Sequence, residues 1–370
     1  MNPFLINGYI SEDYFCGRLV EAKRIIESVN NGRNITLISL RRMGKSALIQ
    51  HISRQLPEKD VLLIQLDIYA TRNLEEFVLQ FGKAVLNIRD LNKKGFFEKL
   101  TRFFSGIGAS VSFDPLTGQP TVDLKYSGEK TSQKNLSGLI NLLEQHSKKV
   151  IIAIDEFQQI SHYPETNTEN FLRTLIQPLQ NCRFIFSGSH KQMMLSLFSS
   201  HGRPFYQSTE LLYLGPIDTF SYAGFIKSWM TKGKKTIEDE DIIYILNWCR
   251  HHTWYVQYVC NKIYSSEISS FNKDGINALL AEILVENEPI YLNYKNLLTA
   301  TQWSVLKAIS KEEKVIHPNH SEFIAKYNLG AASSINRALQ SLTEKEMIFT
   351  DQGYQVYDVF FSRWLQYRGM

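Results

Sequence analysis

Gly44-Lys45-Ser46 is where residue type and spacing in this 370-residue chain first amount to chemistry. The apolar run Thr36-Leu37-Ile38 leads into a basic loop, and Gly44-Lys45-Ser46 then opens a helical pattern, Ala47-Leu48-Ile49-Gln50-His51-Ile52. Strand, loop and helix in that order aim the backbone N–H groups of a helix N-terminus at an anion. A lysine placed there reaches the outer phosphates of a nucleotide, and the next hydroxyl is a hard ligand for Mg2+. The expected nucleotide-binding residues are Ser39, Leu40, Arg41, Arg42, Met43, Gly44, Lys45, Ser46 and Ala47. One departure from G-x-x-x-x-G-K-[ST] stands out, because Ser39 occupies the place of the first glycine. Arg41 and Arg42 either add charge near the phosphates or form a solvated or salt-bridged pair turned elsewhere.

A second run, Val150-Ile151-Ile152-Ala153-Ile154, finishes in Asp155-Glu156. Buried parallel strands present ligand-binding groups at their C-terminal ends. Asp155 is expected to hold Mg2+ together with Ser46, and Glu156 to orient or deprotonate an attacking water. Capping of the following helix is the alternative for these two carboxylates. Arg183-Phe184-Ile185-Phe186 ends in Ser187-Gly188-Ser189, where a polar sensor of the γ-phosphate would lie; Ser189 is the preferred residue, against a simple turn cap. The expected catalytic set is therefore Lys45, Glu156 and Ser189. Arg203 lies between this strand and the last one, as an arginine acting in trans or as a surface residue.

The elements that must position these groups alternate. Helical spacing covers 19–29, 74–89, 96–104, 136–146 and 168–177, between apolar runs near 36–38, 61–68, 150–155, 183–187 and 213–214. Such alternation predicts a parallel α/β sheet, with 61–68 fully buried. Residues 106–132 break the pattern with a hairpin signature around Asp114-Pro115-Leu116-Thr117-Gly118. The aromatic stretch before residue 19 is either core or an adenine seat. After Pro216 strand signals stop, and helices are expected at 221–230, 238–249, 255–265 and 273–287. Helices at 302–310, 321–327 and 332–345, followed by a hairpin, describe a winged helix-turn-helix. Asn336, Arg337 and Gln340 on its third helix can read bases in principle, although positive charge is sparse there; intramolecular packing is the other reading.

Composition narrows the class. Hydrophobic content of 44% and charged content of 21% are ordinary for a globular protein, and a net charge of +4 is weaker than a dedicated nucleic-acid binder carries. The four cysteines have no C-x-x-C spacing, and His251-His252 and His317-Pro318-Asn319-His320 lack metal-site partners. No apolar run approaches the roughly 20 residues of a membrane span, and the N-terminus does not read as a signal peptide, so a cytoplasmic location is expected.

With these motifs in order, nearly the whole chain apart from 106–132 resembles the archaeal-type ATPases, a branch of AAA-like, STAND-class P-loop proteins. Tyr14-Phe15-Cys16-Gly17-Arg18 is similar to that family's N-terminal phenylalanine-glycine-arginine box. Residues 39–46 are similar to its arginine-arginine loop, and 151–157 to its Walker B strand. The segment Tyr357-Asp358-Val359-Phe360-Phe361-Ser362-Arg363-Trp364-Leu365 is similar to its aromatic close. Three departures are evident: Ser39-Leu40 in place of glycine-proline, Thr253 in place of a proline, and Ser208 in place of an arginine. The resemblance implies ATP binding and slow hydrolysis coupled to rearrangement of the C-terminal domains.

The expected architecture is an α/β P-loop NTPase sheet of ASCE/AAA-like type over 1–214, with a hairpin insertion at about 106–132. A helical lid over 215–294 and a winged helix-turn-helix over 295–370 follow. The expected function is a nucleotide-dependent molecular switch using ATP/ADP and Mg2+, with a protein partner or self-association and no membrane. A DNA-binding regulator with nucleotide as effector, and a non-hydrolysing scaffold retaining ADP, are the alternatives.

Overall fold

The computed structural model describes residues 1–57, 59–88, 98, 100, 103, 109–113, 120–124 and 128–368. The chain divides into two compact units, one of Asn7–Ile217 and one of Met1–Ile6 with Asp218–Met370.

In the first unit the strands are β1 (Ile35–Ile38), β2 (Val61–Asp67), β3 (Ala109–Phe113), β4 (Pro120–Leu124), β5 (Lys149–Asp155), β6 (Cys182–Gly188) and β7 (Glu210–Tyr213). Five of them form one parallel sheet in the order β2-β5-β6-β1-β7. Period-2 alternation divides the β5 side chains between two faces. Val150, Ile152 and Ile154 join Phe184 and Phe186 in the cluster containing Phe77, Phe81, Leu139 and Leu197. Ile151 and Ala153 join Ile35, Leu37 and Ile185 in the cluster containing Ile25, Leu48 and Ile52. Helices thus cover both faces, which is why β1 and β6 are buried throughout, Thr36, Arg183 and Ser187 included.

The expectation of a fully buried 61–68 strand is corrected: β2 pairs with β5 alone among the described residues and alternates buried with half-exposed positions. The hairpin forms, with β3 and β4 antiparallel from Ala109↔Leu124 to Phe113↔Pro120, while its 114–119 turn lies outside the described residues. The next helix starts at Gly128, so the excursion ends earlier than 132. Its first turns, Glu129-Lys130-Thr131, are polar and carry no period to read; Ser132 nevertheless is buried and bonds the Gly128 carbonyl at 3.1 Å. The 74–89 helix is Leu74–Leu86, capped by Asn73 accepting from the Glu76 N–H; the 96–104 helix lies mostly outside the described residues.

The second unit begins with helices Thr219–Lys232, Asp239–Trp248 and Thr253–Ser265. Strands do recur here, contrary to expectation: β8 (Thr236–Ile237) and β9 (Ser270–Phe271) pair in parallel, each too short to leave a periodic trace. Helix Lys273–Leu297 continues through Pro289, where the sequence pointed to an end near 287. Proline removes one hydrogen bond, and packing beyond it compensates. Tyr291, buried in that continuation, sits 5.1 Å from Phe361 and 5.5 Å from Trp364.

Helices Ala300–Glu312, Ser321–Tyr327 and Ala332–Glu344 then precede the antiparallel strands β10 (Ile348–Thr350) and β11 (Tyr354–Val356), the topology of a winged helix. The aromatic close is itself a helix, Val359–Arg368, with Phe360, Phe361, Trp364 and Leu365 buried. Residues Met1–Ile6 belong to this unit. Phe4 is fully buried edge-on to Phe225 and Tyr264; Asn2 donates its side-chain amide to the Asn261 carbonyl, and Asn261 donates its own to the Phe4 carbonyl.

Candidate phosphate-binding site

The C-terminal ends of β1, β5 and β6 converge. Residues 39–44 leave β1, and Gly44 adopts a left-handed φ of +93° before helix Lys45–Gln55. A Cβ at Gly44 would meet nothing within 4 Å, so it is the backbone, not space, that requires glycine. Lys45 is 6% exposed. Its Nζ donates to Ser39 Oγ at 3.3 Å and to the Leu40 carbonyl at 3.4 Å, both long for a cation with three protons to place. Burial pulls its pKa below the ordinary lysine value, against the nearby charges of Asp155 and Glu156. A buried, loosely coordinated ammonium beside helix N–H groups suits an anion.

Ser46 Oγ donates to Asp155 Oδ2 at 2.8 Å, and Ser187 Oγ to Asp155 Oδ1 at 2.7 Å. The sheet order explains this: β6 lies between β1 and β5, which delivers Ser187 beside Asp155. Hydroxyl and carboxylate are hard oxygen donors, and the exposed Ser46 leaves the pair open to solvent, so the set fits Mg2+. Glu156 sits at a left-handed φ of +55°. Its Oε2 accepts from Ser189 Oγ at 2.7 Å, Ser189 N at 3.3 Å and Gln158 Nε2 at 2.5 Å. Its side chain makes no capping bond to the short 3-10 helix Phe157–His162, so capping is not what it does. Arg41 turns toward this group, with Nε 3.3 Å from Ser189 Oγ and the guanidinium 5.4 Å from the Tyr69 ring centre.

The fold has solved counterparts. A Walker-type ATPase of Pyrococcus abyssi superposes with a TM-score of 0.65 at 17% identity, covering 98% of this chain and 99% of that one. The ORC2 protein of Aeropyrum pernix, solved in ADPNP–ADP complexes, gives 0.54 at 12% identity over 99% and 97% of the chains. The ORC1 protein of the same organism, solved with DNA, gives 0.50 at 11% over 96% and 94%. A family model described as a probable winged helix domain matches residues 289–367. No curated protein matches.

The chain has the fold of an AAA-like P-loop ATPase. Within that fold the loop of residues 39–44 joins β1 to helix Lys45–Gln55, and Asp155-Glu156 stand at the C-terminal end of β5. Of the residues singled out in the sequence, the P-loop site brings together Ser39, Leu40, Arg41, Lys45, Ser46, Asp155, Glu156 and Ser189. Met43 is buried, Arg42 is exposed at φ +59°, and Ala47 is half-buried.

Arg203 is placed otherwise: its guanidinium donates to Glu169 at 2.6 Å and to Ser161 at 3.4 Å. Of the N-terminal aromatics, Phe15 stacks on His51 of the P-loop helix at 4.2 Å, and Tyr9 Oη lies 3.1 Å from His51 Nδ1. The wing-unit residues Asn336, Arg337 and Gln340 are exposed; Arg337 reaches back to the Ser333 carbonyl of its own helix. Among the described residues no group of three or more His, Cys, Asp or Glu side chains could hold a metal, and no helix is long and apolar enough to cross a membrane.

Sequence reasoning missed two participants, Asp67 and Gln158, and named a third, Arg18, only as part of the N-terminal box. Asp67 ends β2 in register with Asp155; burial, then the charges of Asp155 and Glu156, hold its pKa up against the Tyr69 N–H. Leu66-Asp67 repeats the apolar-run-to-carboxylate signal of Ile154-Asp155, so it was there to be read. Arg18, at φ +64°, donates from Nη2 to the Met43 carbonyl at 3.2 Å and pairs with Glu21 at 3.0 Å, tying the N-terminal box to the P-loop. Gln158 had no signal beyond its distance from Glu156.

Proposed function

We propose that the chain is an ATP-binding, slowly hydrolysing P-loop ATPase that works as a nucleotide-dependent, STAND-like molecular switch. The observation that carries this reading is the convergence of buried Lys45 with the Ser46–Asp155 pair at 2.8 Å. Lys45 and the N–H groups opening helix Lys45–Gln55 would hold the outer phosphates. Ser46 and Asp155 would hold Mg2+, which supplies charge neutralisation at the phosphate oxygens. Glu156 would accept the proton of the attacking water. Ser189, hydrogen-bonded both to Glu156 and to Arg41, is suited to register the γ-phosphate. Differential contacts to ATP and ADP would then bias the second unit between arrangements, with a protein partner or a second copy as the recipient; a cytoplasmic setting fits this role.

The test is ATP binding and turnover in wild type, Lys45→Ala and Glu156→Gln. Loss of binding in the first and of turnover in the second is expected. Binding that ignores Lys45→Ala refutes the reading, and tightly retained ADP without turnover favours a non-hydrolysing scaffold.

A DNA-binding regulator is the second reading, favoured by the winged-helix match and by the ORC1 counterpart solved with DNA. It requires duplex binding that weakens steeply with salt and drops on Arg337→Ala. No binding at low salt removes it.

A further inference from the structure

We infer that Gln158 is a positioning residue for Glu156, a role that rests on the reading of Glu156 as the acceptor of the water proton. Gln158 is 7% exposed. Its Nε2 donates to Glu156 Oε2 at 2.5 Å, and the carboxylate fixes the amide's orientation because only the nitrogen can donate. The other end of the amide has no partner: Oε1 is buried without a hydrogen bond. An orphaned buried acceptor destabilises a fold, and a methionine or leucine would fill the same space without that penalty. The amide is therefore poorly explained by packing and well explained by the bond its nitrogen makes.

The surroundings are shaped to admit it. A Cβ on Gly188 would lie 2.3 Å from Gln158 Oε1 and 2.5 Å from Met194 Sδ, so glycine between Ser187 and Ser189 makes room for this side chain. Glu156 is held from two sides as a result. Ser189 on β6 donates to Oε2 with its hydroxyl and its N–H, and Gln158 donates from the turn after β5. With Oε2 saturated, the carboxylate is fixed in rotation and Oε1 is left to accept from water. This is the base-plus-orienting-group arrangement that efficient proton transfer requires.

The experiment is single-turnover ATP hydrolysis in Gln158→Met, alone and combined with Glu156→Gln, with ATP affinity and thermal unfolding measured on the same preparations. Gln158→Met is expected to lower the hydrolysis rate between about 10- and 100-fold, the range for a misplaced catalytic group, with affinity unchanged. Its melting temperature is expected to stay near that of wild type, because removing the orphaned acceptor offsets the lost bond to Glu156. In the Glu156→Gln background the same substitution is expected to change nothing further. Gly188→Ala, which displaces Gln158 without altering it, is expected to lose turnover in the same way. An undiminished rate in Gln158→Met overturns the inference, as does a proportional loss of equal size in both backgrounds. Turnover in Glu156→Gln equal to wild type overturns the assignment of Glu156 itself, and this inference with it. Loss of ATP affinity in Lys45→Ala alongside that result keeps the nucleotide site standing.

Discussion

Replacing Lys45 with methionine separates what the P-loop lysine contributes to a ligand from what it costs the fold. Its ammonium is buried and makes contacts of 3.3 and 3.4 Å with Ser39 and Leu40. Burial already pushes it toward the neutral form despite Asp155 and Glu156. Methionine fills nearly the same volume without a charge to desolvate. Exchange of a whole buried ion pair for apolar groups ranges from neutral to stabilising by up to about 4 kcal/mol, whereas removal of one partner destabilises. The contacts of Lys45 Nζ are to neutral oxygens, so the substitution breaks no hydrogen-bonded ion pair among the described residues. The two carboxylates that lose a neighbour keep hydroxyl donors from Ser46, Ser187 and Ser189, which holds the expected gain near the lower end, about 1 kcal/mol. For a unit of this size that raises the melting temperature by about 2–4 °C.

Ligand binding moves the other way. A charge-assisted hydrogen bond to phosphate is worth about 1.5–3 kcal/mol, so the variant should bind ATP about 10- to 150-fold more weakly. At an ATP concentration of about 100 times the wild-type Kd, mass action stabilises wild type by about 2.7 kcal/mol. The same concentration should stabilise the variant by only about 0.3–1.4 kcal/mol. The assay is thermal unfolding of both proteins with and without ATP and Mg2+. A variant that melts at or above wild type without ligand, yet shows about half or less of the wild-type response to ATP, is the expected result. An undiminished ATP shift refutes Lys45 as a phosphate ligand, and a fall of several degrees without ligand refutes the claim that its burial is costly.

Three further outcomes are expected. Glu156→Gln should lower turnover by about 100-fold or more while leaving nucleotide affinity intact, since a general base contributes about 10²–10⁴ to the rate; separate rate and affinity measurements check it. Burial lowers the pKa of His51, so its neutral form is favoured in the fold. The associated stability is present above the unfolded value of 6.5 and is lost as pH falls toward the depressed folded value. Wild type should therefore lose more melting temperature between pH 7 and pH 5 than His51→Gln does. In the second unit Arg250 holds a left-handed φ of +52° while bonding Glu313, Ser362 and the Val356 carbonyl. Arg250→Ala and Arg250→Gly lose the same bonds, but glycine relieves the backbone, so denaturant titration should find Gly more stable than Ala by about 1 kcal/mol.

The P-loop region was legible because chemistry there is local. Gly44-Lys45-Ser46 announces a helix N-terminus, and Asp155-Glu156 announces the end of a buried strand, each within ten residues. What escaped was set by distance along the chain or by weak periodicity. That Ser187 faces Asp155 while Ser189 faces Glu156 follows from β6 lying between β1 and β5, an order no single segment encodes. The Arg18–Met43 bond joins residues 25 apart through a left-handed turn that a non-glycine sequence does not advertise. The helix through Pro289 is the opposite case: the local rule was sound, and aromatic packing of Tyr291 on Phe361 and Trp364 overrode it.

The departure at Ser39 takes on a physical meaning beside the other serines. Ser39 accepts from Lys45, Ser46 and Ser187 donate to Asp155, and Ser189 donates to Glu156. Each of the three charged groups proposed to meet nucleotide, metal or water is thus matched by at least one hydroxyl from the protein. A glycine at 39 would supply none, leaving Lys45 Nζ with the Leu40 carbonyl alone among the contacts it makes here. On the proposed reading an arriving phosphate would compete for Nζ with Ser39, and a metal would compete with Ser46 for Asp155. Exchanges of this kind return only the difference between the bonds made and the bonds broken. Hydroxyls that steady the loop consequently weaken the ligands that displace them, and the serine in the glycine position shifts that balance toward the protein.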